Sequence, residues 1–336
     1  MNPVLVELTR GTRVESAHRG SIAVCDAKGN VYASWGDIEA AVYPRSAFKS
    51  LQALALVETG GADAFRVSPE ELALACASHS GEPMHVERVE RWLTRIDCKE
   101  GDLACGPHLP IYEPAAHAMI REGQKPCRVH NNCSGKHTGF LTLARHLGVS
   151  TANYERTDHP VQNLVRMTIG EICDVPPNAM PVGIDGCAAP NYAIPLRHLA
   201  QGMARLGDTN SLGDKRAKAA RRLTAAWREY PELVSGTGRA CTDLIRGSKG
   251  RTVVKTGAEG VFCAVLPERG LGVALKIDDG ATRAAETAMA RVLVLLDAAD
   301  ETSDLILKHL NPRVRNWRGD DVGERRTSAA LENIAT

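Results

Sequence analysis

"YPRSAFKSLQALALVETGG", residues 43–61, decides the fold. Its apolar positions predict a helix, which Gly60 and Gly61 stop. Two polar residues stand at its start. Ser46 precedes Lys49 by three positions, so a helical first turn puts both on one face. A solvated helix has no need of that pair, whereas a lysine amine so placed can take the proton from a serine hydroxyl. The amine must then be neutral near pH 7, against an ordinary pKa of about 10.4. That costs roughly 4 kcal/mol and demands burial, a nearby cation, or both. A helix N-terminus at Ser46 also favours negative charge developing there. S-x-x-K alone is weak, since a chain of this composition contains about one by chance.

Working outward, "RGSIAVCDAKGNVYASWG" (19–36) predicts two strands joined by a turn at Asp26–Asn30. Ser68, Pro69 and Glu71 form a capping-box arrangement with proline at the first helical position. "HVERVERWLTRI", "KHTGFLTLARHLG", "HPVQNLVRMTIGEIC", "PLRHLAQGMARL" and "DKRAKAARRLTAAWREY" carry apolar residues at helical spacing. "RTVVKTG", "GVFCAVLP" and "GLGVALKID" then predict three short strands, and "ATRAAETAMARVLVLL" a closing helix. The expected fold is α+β: one antiparallel sheet from the N-terminal hairpin plus the C-terminal strands, flanked by helices, with a helical lobe. Residues 1–312 form a single catalytic unit, its sheet lobe drawn from 1–42 and 250–300 and its helical lobe from 43–249. Residues 313–336 read as a polar, loosely ordered tail.

The formal net charge is +1 with no long lysine or arginine run, which argues against nucleic-acid and membrane-surface partners. Aromatics are only 4%, so base-stacking platforms are not expected. No window approaches the ~18 consecutive apolar residues of a spanning helix. The first twenty residues lack the pattern of a secretory signal, and ten dispersed cysteines read as reduced thiols, so the expected compartment is the cytoplasm. Most of those cysteines are expected as core fillers.

Further polar groups stand out. Lys255-Thr256-Gly257 lies on a predicted strand, where its lysine supplies a cation for Lys49 and its glycine lets a substrate approach the strand edge. Arg45 either clamps a carboxylate or forms a structural ion pair. Ser78-His79-Ser80 falls where a helix ends, with hydroxyls facing a cleft or bonding the last carbonyls. Cys133-Ser-Gly-Lys136 puts a thiolate and an amine on one tight turn, and Cys187 sits in a glycine-rich loop. Thiolates suit zinc. Cys127, His130 and Cys133 offer an alternative ligand spacing, C-x₂-H-x₂-C.

S-x-x-K followed by a late K-T-G strand resembles the serine β-lactamase and penicillin-binding-protein scaffold, shared by serine glutaminases. "RSAFK", "CASHSGE", "HNNCSGKH", "GIDGCAAP" and "KTGAEG" together resemble the Rhizobium etli-type (class 3) L-asparaginases, over about residues 18–298. The resemblance implies a serine β-lactamase-like fold and hydrolysis of L-asparagine to L-aspartate and ammonia through a serine acyl-enzyme. It implies two serine–lysine pairs, Ser46 with Lys49 and Ser78 with Lys255, Lys276 being the weaker candidate for the second lysine. It further implies a zinc ion on Cys133, Lys136 and Cys187 that shapes the pocket rather than generating the nucleophile. His137 and Asp185 become contacts of the substrate or of the groups that hold it, beside the Arg45 clamp, and the assembly a homodimer. The competing readings are a serine glutaminase, another β-lactamase-like acyl-serine amidohydrolase, and a non-catalytic zinc- or thiol-binding protein. A glutaminase differs by one methylene of substrate, worth only ~1–3 kcal/mol in a pocket.

Overall fold

The computed structural model describes residues 1–332 and Ile334 of the chain. The chain divides into two units, one of Met1–Ala47, Ile194–Ser211 and everything from Asp243 onward, the other of Phe48–Ala193 and Leu212–Thr242. The first is built on an antiparallel sheet. Its strands run in the order Arg313–Arg315, Asp321–Thr327, Val4–Arg10, Arg13–Asp26, Leu271–Ile277, Val261–Leu266 and Val253–Thr256. Val31–Trp35 also pairs with Arg13–Asp26, and the turn between them closes at Asp26 and Asn30 as expected. Ile22 lies opposite Leu275, so the N-terminal hairpin and the C-terminal strands share one sheet.

Val261–Leu266 is buried at every position, and Leu271–Ile277 at every position but Lys276. Successive strand residues point to opposite faces, so continuous burial means both faces are covered. The Leu196–Gly207 and Thr282–Leu295 helices pack on these strands. Gly272 shows how closely the first of them approaches: a Cβ there would stand 2.2 Å from the Ala200 carbonyl oxygen and from the Ala204 nitrogen. The region read as a loose tail instead supplies two strands. Thr327, Arg326 and Arg325 lie opposite Val6, Glu7 and Leu8, and Arg326 pairs with Glu7 at 3.1 Å. "DVGERRT" looks unlike a strand because it is only half buried, and its place is fixed by backbone pairing rather than by apolar side chains.

The second unit gathers helices around Lys49–Glu58, which is buried at every position through Val57. A helix covered all round belongs in a core. Leu51, Leu54, Leu56 and Val57 each contribute about 1.5–3 kcal/mol by leaving water. Pro69–Ala75, Ser134–Leu147, Pro160–Cys173 and Asp214–Glu229 pack against it. The predicted capping box is present: Ser68 Oγ accepts from the Glu71 N–H, and the Ser68 N–H donates to the Glu71 carboxylate. Such a cap stabilises a helix start by about 1 kcal/mol. A short hairpin, Val182–Ile184 with Pro190–Tyr192, completes this unit. No helix among the described residues is long and apolar enough to cross a membrane.

Candidate active site

Ser46 does not begin the α-helix. It lies in a 3-10 turn, Arg45–Phe48, and the α-helix starts at Lys49. The cause is Arg45, whose φ of +53° turns the chain left-handed immediately after Pro44. That conformation costs a residue with a Cβ about 1–2 kcal/mol. The Ala47 N–H then closes the turn on the Pro44 carbonyl at 3.0 Å. Against this turn lies the K-T-G strand. A Cβ on Gly257 would come within 2.5 Å of the Pro44 oxygen and 3.0 Å of the Ala47 nitrogen. The serine turn therefore requires the glycine. Lys255 is buried and donates to the Thr256 carbonyl at 2.6 Å. Lys276 donates to the carbonyls of Glu259, at 2.7 Å, and Ile277, at 2.5 Å, so it braces the turn that follows K-T-G. Burial lowers its pKa. Glu259 is also left-handed, with φ +58°, and its carboxylate stands 3.9 Å from the Arg45 guanidinium.

In the helical unit Lys49 is a hub. Its buried ammonium nitrogen donates to the Ala77 carbonyl at 2.5 Å, Ser78 Oγ at 2.9 Å and Cys133 Sγ at 3.1 Å. The sequence pairs Lys49 with Ser46, and in the structure Lys49 hydrogen-bonds Ser78. The backbone around Ser78 is pinned: its N–H donates to the Val234 carbonyl, the His79 N–H to the Asn132 carbonyl, and Arg239 to the Ser78 carbonyl. His79 ties the same loop to the cysteine turn. Ser134 Oγ donates to the Val129 carbonyl, so His79 Nε2 must carry the hydrogen that reaches Ser134 at 2.8 Å. His79 Nδ1 accepts from the Gly81 N–H. The ring stacks on His85 at 4.8 Å between centroids, and burial first, then the other ring, holds the His79 pKa well below its usual range.

Cys133, Lys136 and Cys187 come together. Lys136 donates to Cys187 Sγ at 3.0 Å. The neighbouring Cys133 and then the Lys136 charge pull the Cys187 pKa well below that of an ordinary thiol, while Cys187 and burial push the Cys133 pKa above it. Burial opposes the Lys136 charge, yet the two sulfurs outweigh it and raise the lysine pKa. Two buried sulfurs and an amine are a donor set that fits zinc, the amine shedding its proton on binding. The alternative set does not assemble. Cys127 Sγ stands 3.2 Å from His130 Nδ1, while Cys133 turns to Lys49 and Asn132. Among the described residues no three His, Cys, Asp or Glu side chains gather in a metal cluster. Asp185 closes the Cys187 loop: its carboxylate accepts from the Gly186 N–H at 2.7 Å and its own N–H donates to the Ala189 carbonyl. Ala188, next to Cys187, holds φ +71°. His137 is buried one residue beyond Lys136.

Four contributors escape a sequence reading. Asn131 and Asn132 shape the cysteine turn through the Cys133 N–H and Sγ, and the doubled asparagine of "HNNCSG" is the signal that points to such a turn. Tyr154, which meets His137, and Arg239 come from remote segments without a local signal.

A serine turn lies against a K-T-G strand at the edge of an antiparallel sheet, and a buried lysine opens the helix that follows in the chain, within an α+β fold. The chain belongs to the L-asparaginase II family, which it matches over residues 6–327, and so to the amidohydrolases. No curated protein matches the sequence. Among solved structures, it is similar to a β-lactamase from Mycobacterium bovis at 16% identity, covering 84% of this chain and 95% of that one, with a TM-score of 0.44. A class C β-lactamase mutant shares 16% identity, with 86% and 92% covered and a TM-score of 0.42. A penicillin-binding-protein homologue from Pyrococcus abyssi shares 15%, with 89% and 79% covered and a TM-score of 0.32.

Proposed function

We propose that this protein is an L-asparaginase that hydrolyses L-asparagine to L-aspartate and ammonia through an acyl-enzyme on Ser46. The observation that carries the reading is Lys49, a buried amine with the Ala77 carbonyl, the Cys133 sulfur and the Ser78 hydroxyl around it. In its neutral form two N–H groups serve the carbonyl and the sulfur, and the lone pair is left for a hydroxyl proton. Lys49 takes the Ser46 proton as that oxygen attacks the side-chain amide carbon. Backbone N–H groups, that of Ser46 included, hold the oxyanion. The C–N bond breaks as the proton returns through Ser78 to the departing ammonia, with Lys255 as the second lysine. Water then attacks the ester, Lys49 again acting as base, and L-aspartate leaves with Ser46 restored. Arg45 clamps the substrate carboxylate, and His137 and Asp185 contact the substrate. Zinc held by Cys133, Lys136 and Cys187 would supply a fixed Lewis-acid charge that orders the pocket. The same reading gives a cytoplasmic homodimer.

The test is ammonia release from L-asparagine and L-glutamine by wild type, Ser46→Ala and Ser78→Ala, with circular dichroism on each. Acid-quenched wild type is also digested to find an acylated Ser46 peptide by mass. Asparagine turnover, an acylated peptide and a folded, inactive Ser46→Ala are expected. Turnover that persists in Ser46→Ala removes the nucleophile assignment. A preference for glutamine makes the protein a serine glutaminase. Silence on both amides with zinc bound leaves the binding-protein reading.

A further inference from the structure

The loop Ser235-Gly-Thr-Gly-Arg239 runs beside Ser78–Glu82 and is fastened to it along its length. The Ser78 N–H donates to the Val234 carbonyl at 2.9 Å, and Ser80 Oγ to the Ser235 carbonyl at 2.9 Å. The buried Glu82 carboxylate accepts from the Thr237 N–H at 2.9 Å and from the Thr237 hydroxyl at 2.7 Å. Gly236 holds φ +131°, and a Cβ there would stand 2.2 Å from Ser80 Oγ, so glycine is what lets the loop lie this close. Arg239 then reaches back to the start of the run: its Nη1 donates to the Ser78 carbonyl at 3.2 Å.

That carbonyl occupies one N–H of a guanidinium that carries several. Arg239 is partly buried, and among the described residues no carboxylate lies within salt-bridge distance of it. The acid of this loop, Glu82, is spent on Thr237. Arg45, by contrast, has the Glu259 carboxylate 3.9 Å away. The bases near Ser78 add to the positive field rather than balance it: after burial, His85, Lys49, His108 and Arg239 in turn lower the His79 pKa. A planar fork on a rigid loop, partly out of water and without a counter-charge, suits a carboxylate.

We propose that Arg239 is a substrate-binding residue that takes the carboxylate of a small amino acid beside Ser78. Its guanidinium is on the Ser78 carbonyl, while the hydroxyl of the same serine faces Lys49 at 2.9 Å. One residue thus brings a carboxylate ligand close to a proton relay, as a substrate carrying an acid and an amide on one short chain requires. The choice of L-asparagine rests on the asparaginase reading, while the carboxylate site does not.

Wild type, Arg239→Gln and Arg239→Lys are compared on L-asparagine and on β-alaninamide, which is asparagine without its carboxylate. Arg239→Gln should lower kcat/KM for L-asparagine about 10–100-fold, chiefly through KM, with Arg239→Lys between. On β-alaninamide kcat/KM should not change. An equal loss on both amides, or an unchanged KM for L-asparagine, overturns the proposal. A second measurement needs no turnover: phenylglyoxal modification of Arg239 in the wild-type full chain, followed by peptide mass, with and without succinate. Succinate should slow it. An Arg239 that reacts equally fast with succinate, or that never reacts, overturns the proposal. Where a variant fails to fold, or β-alaninamide is too poor a substrate to measure, this protection decides. Protection by succinate in a protein that turns over neither amide removes the asparaginase reading and keeps the carboxylate site.

Discussion

The two serines sit in segments built by opposite means. Ser46 rides on a turn forced by a left-handed arginine, backed by a glycine that leaves no room for a side chain, and it is half-buried. Ser78 is buried in a loop held by backbone bonds to two distant segments, with the Lys49 side-chain nitrogen 2.9 Å from its hydroxyl. In the proposed mechanism a half-buried hydroxyl on a tight turn suits the nucleophile, and a buried, hydrogen-bonded one suits the proton relay.

Breaking the hub should cost most. Lys49→Met removes the base and leaves the Ala77 carbonyl and Ser78 hydroxyl without its donor, and asparagine turnover should fall by about 10²–10⁴-fold. Steady-state ammonia release checks this, and a smaller loss would move the base to another residue. Gly257→Ala attacks the Ser46 side alone: its Cβ meets the Pro44 oxygen, so stability should drop by about 1–3 kcal/mol in denaturant unfolding. The Lys49–Ser78 side lies in the other unit. The imidazoles test the Ser78 side. Burial chiefly lowers the pKa values of His79 and His85 from the ordinary imidazole value. Well above about pH 6.5 both states are neutral and stability is full. As pH falls through about 6.5 the unfolded chain takes up protons before the folded one does, so stability declines. His79→Gln should flatten part of that slope in unfolding measured across pH. Arg45→Gly should give the smallest effect on stability and the opposite sign: relief of the left-handed strain stabilises by up to about 1 kcal/mol, while the KM for L-asparagine rises.

Much of this was legible in the sequence because it rests on local rules. The Ser68–Glu71 cap, the Asp26–Asn30 turn and the long amphipathic helices follow from neighbouring residues, and so does the helix ending at Glu58. Cys133, Lys136 and Cys187 are linked only through the family strings, since nothing across a separation of 51 positions predicts that Lys136 and Cys187 meet. The left-handed Arg45 was hidden because Pro-Arg-Ser reads equally well as a helix start. The Asp321–Thr327 strand was hidden because a half-buried strand among charges carries no apolar alternation. The hairpin that presents Cys187 is too short to show a period.

That last strand has a consequence for how the molecule is made. Val4–Arg10 leaves the ribosome long before one of its two neighbours, Asp321–Thr327. At ordinary rates of chain growth the wait is on the order of tens of seconds. Throughout it, an early strand keeps an edge of unpaired backbone groups open to other chains. Leu5 and Val6, buried in the finished sheet, are uncovered for part of that time. The nascent chain is therefore exposed to misassembly along Val4–Arg10 until Asp321–Thr327 pairs with it.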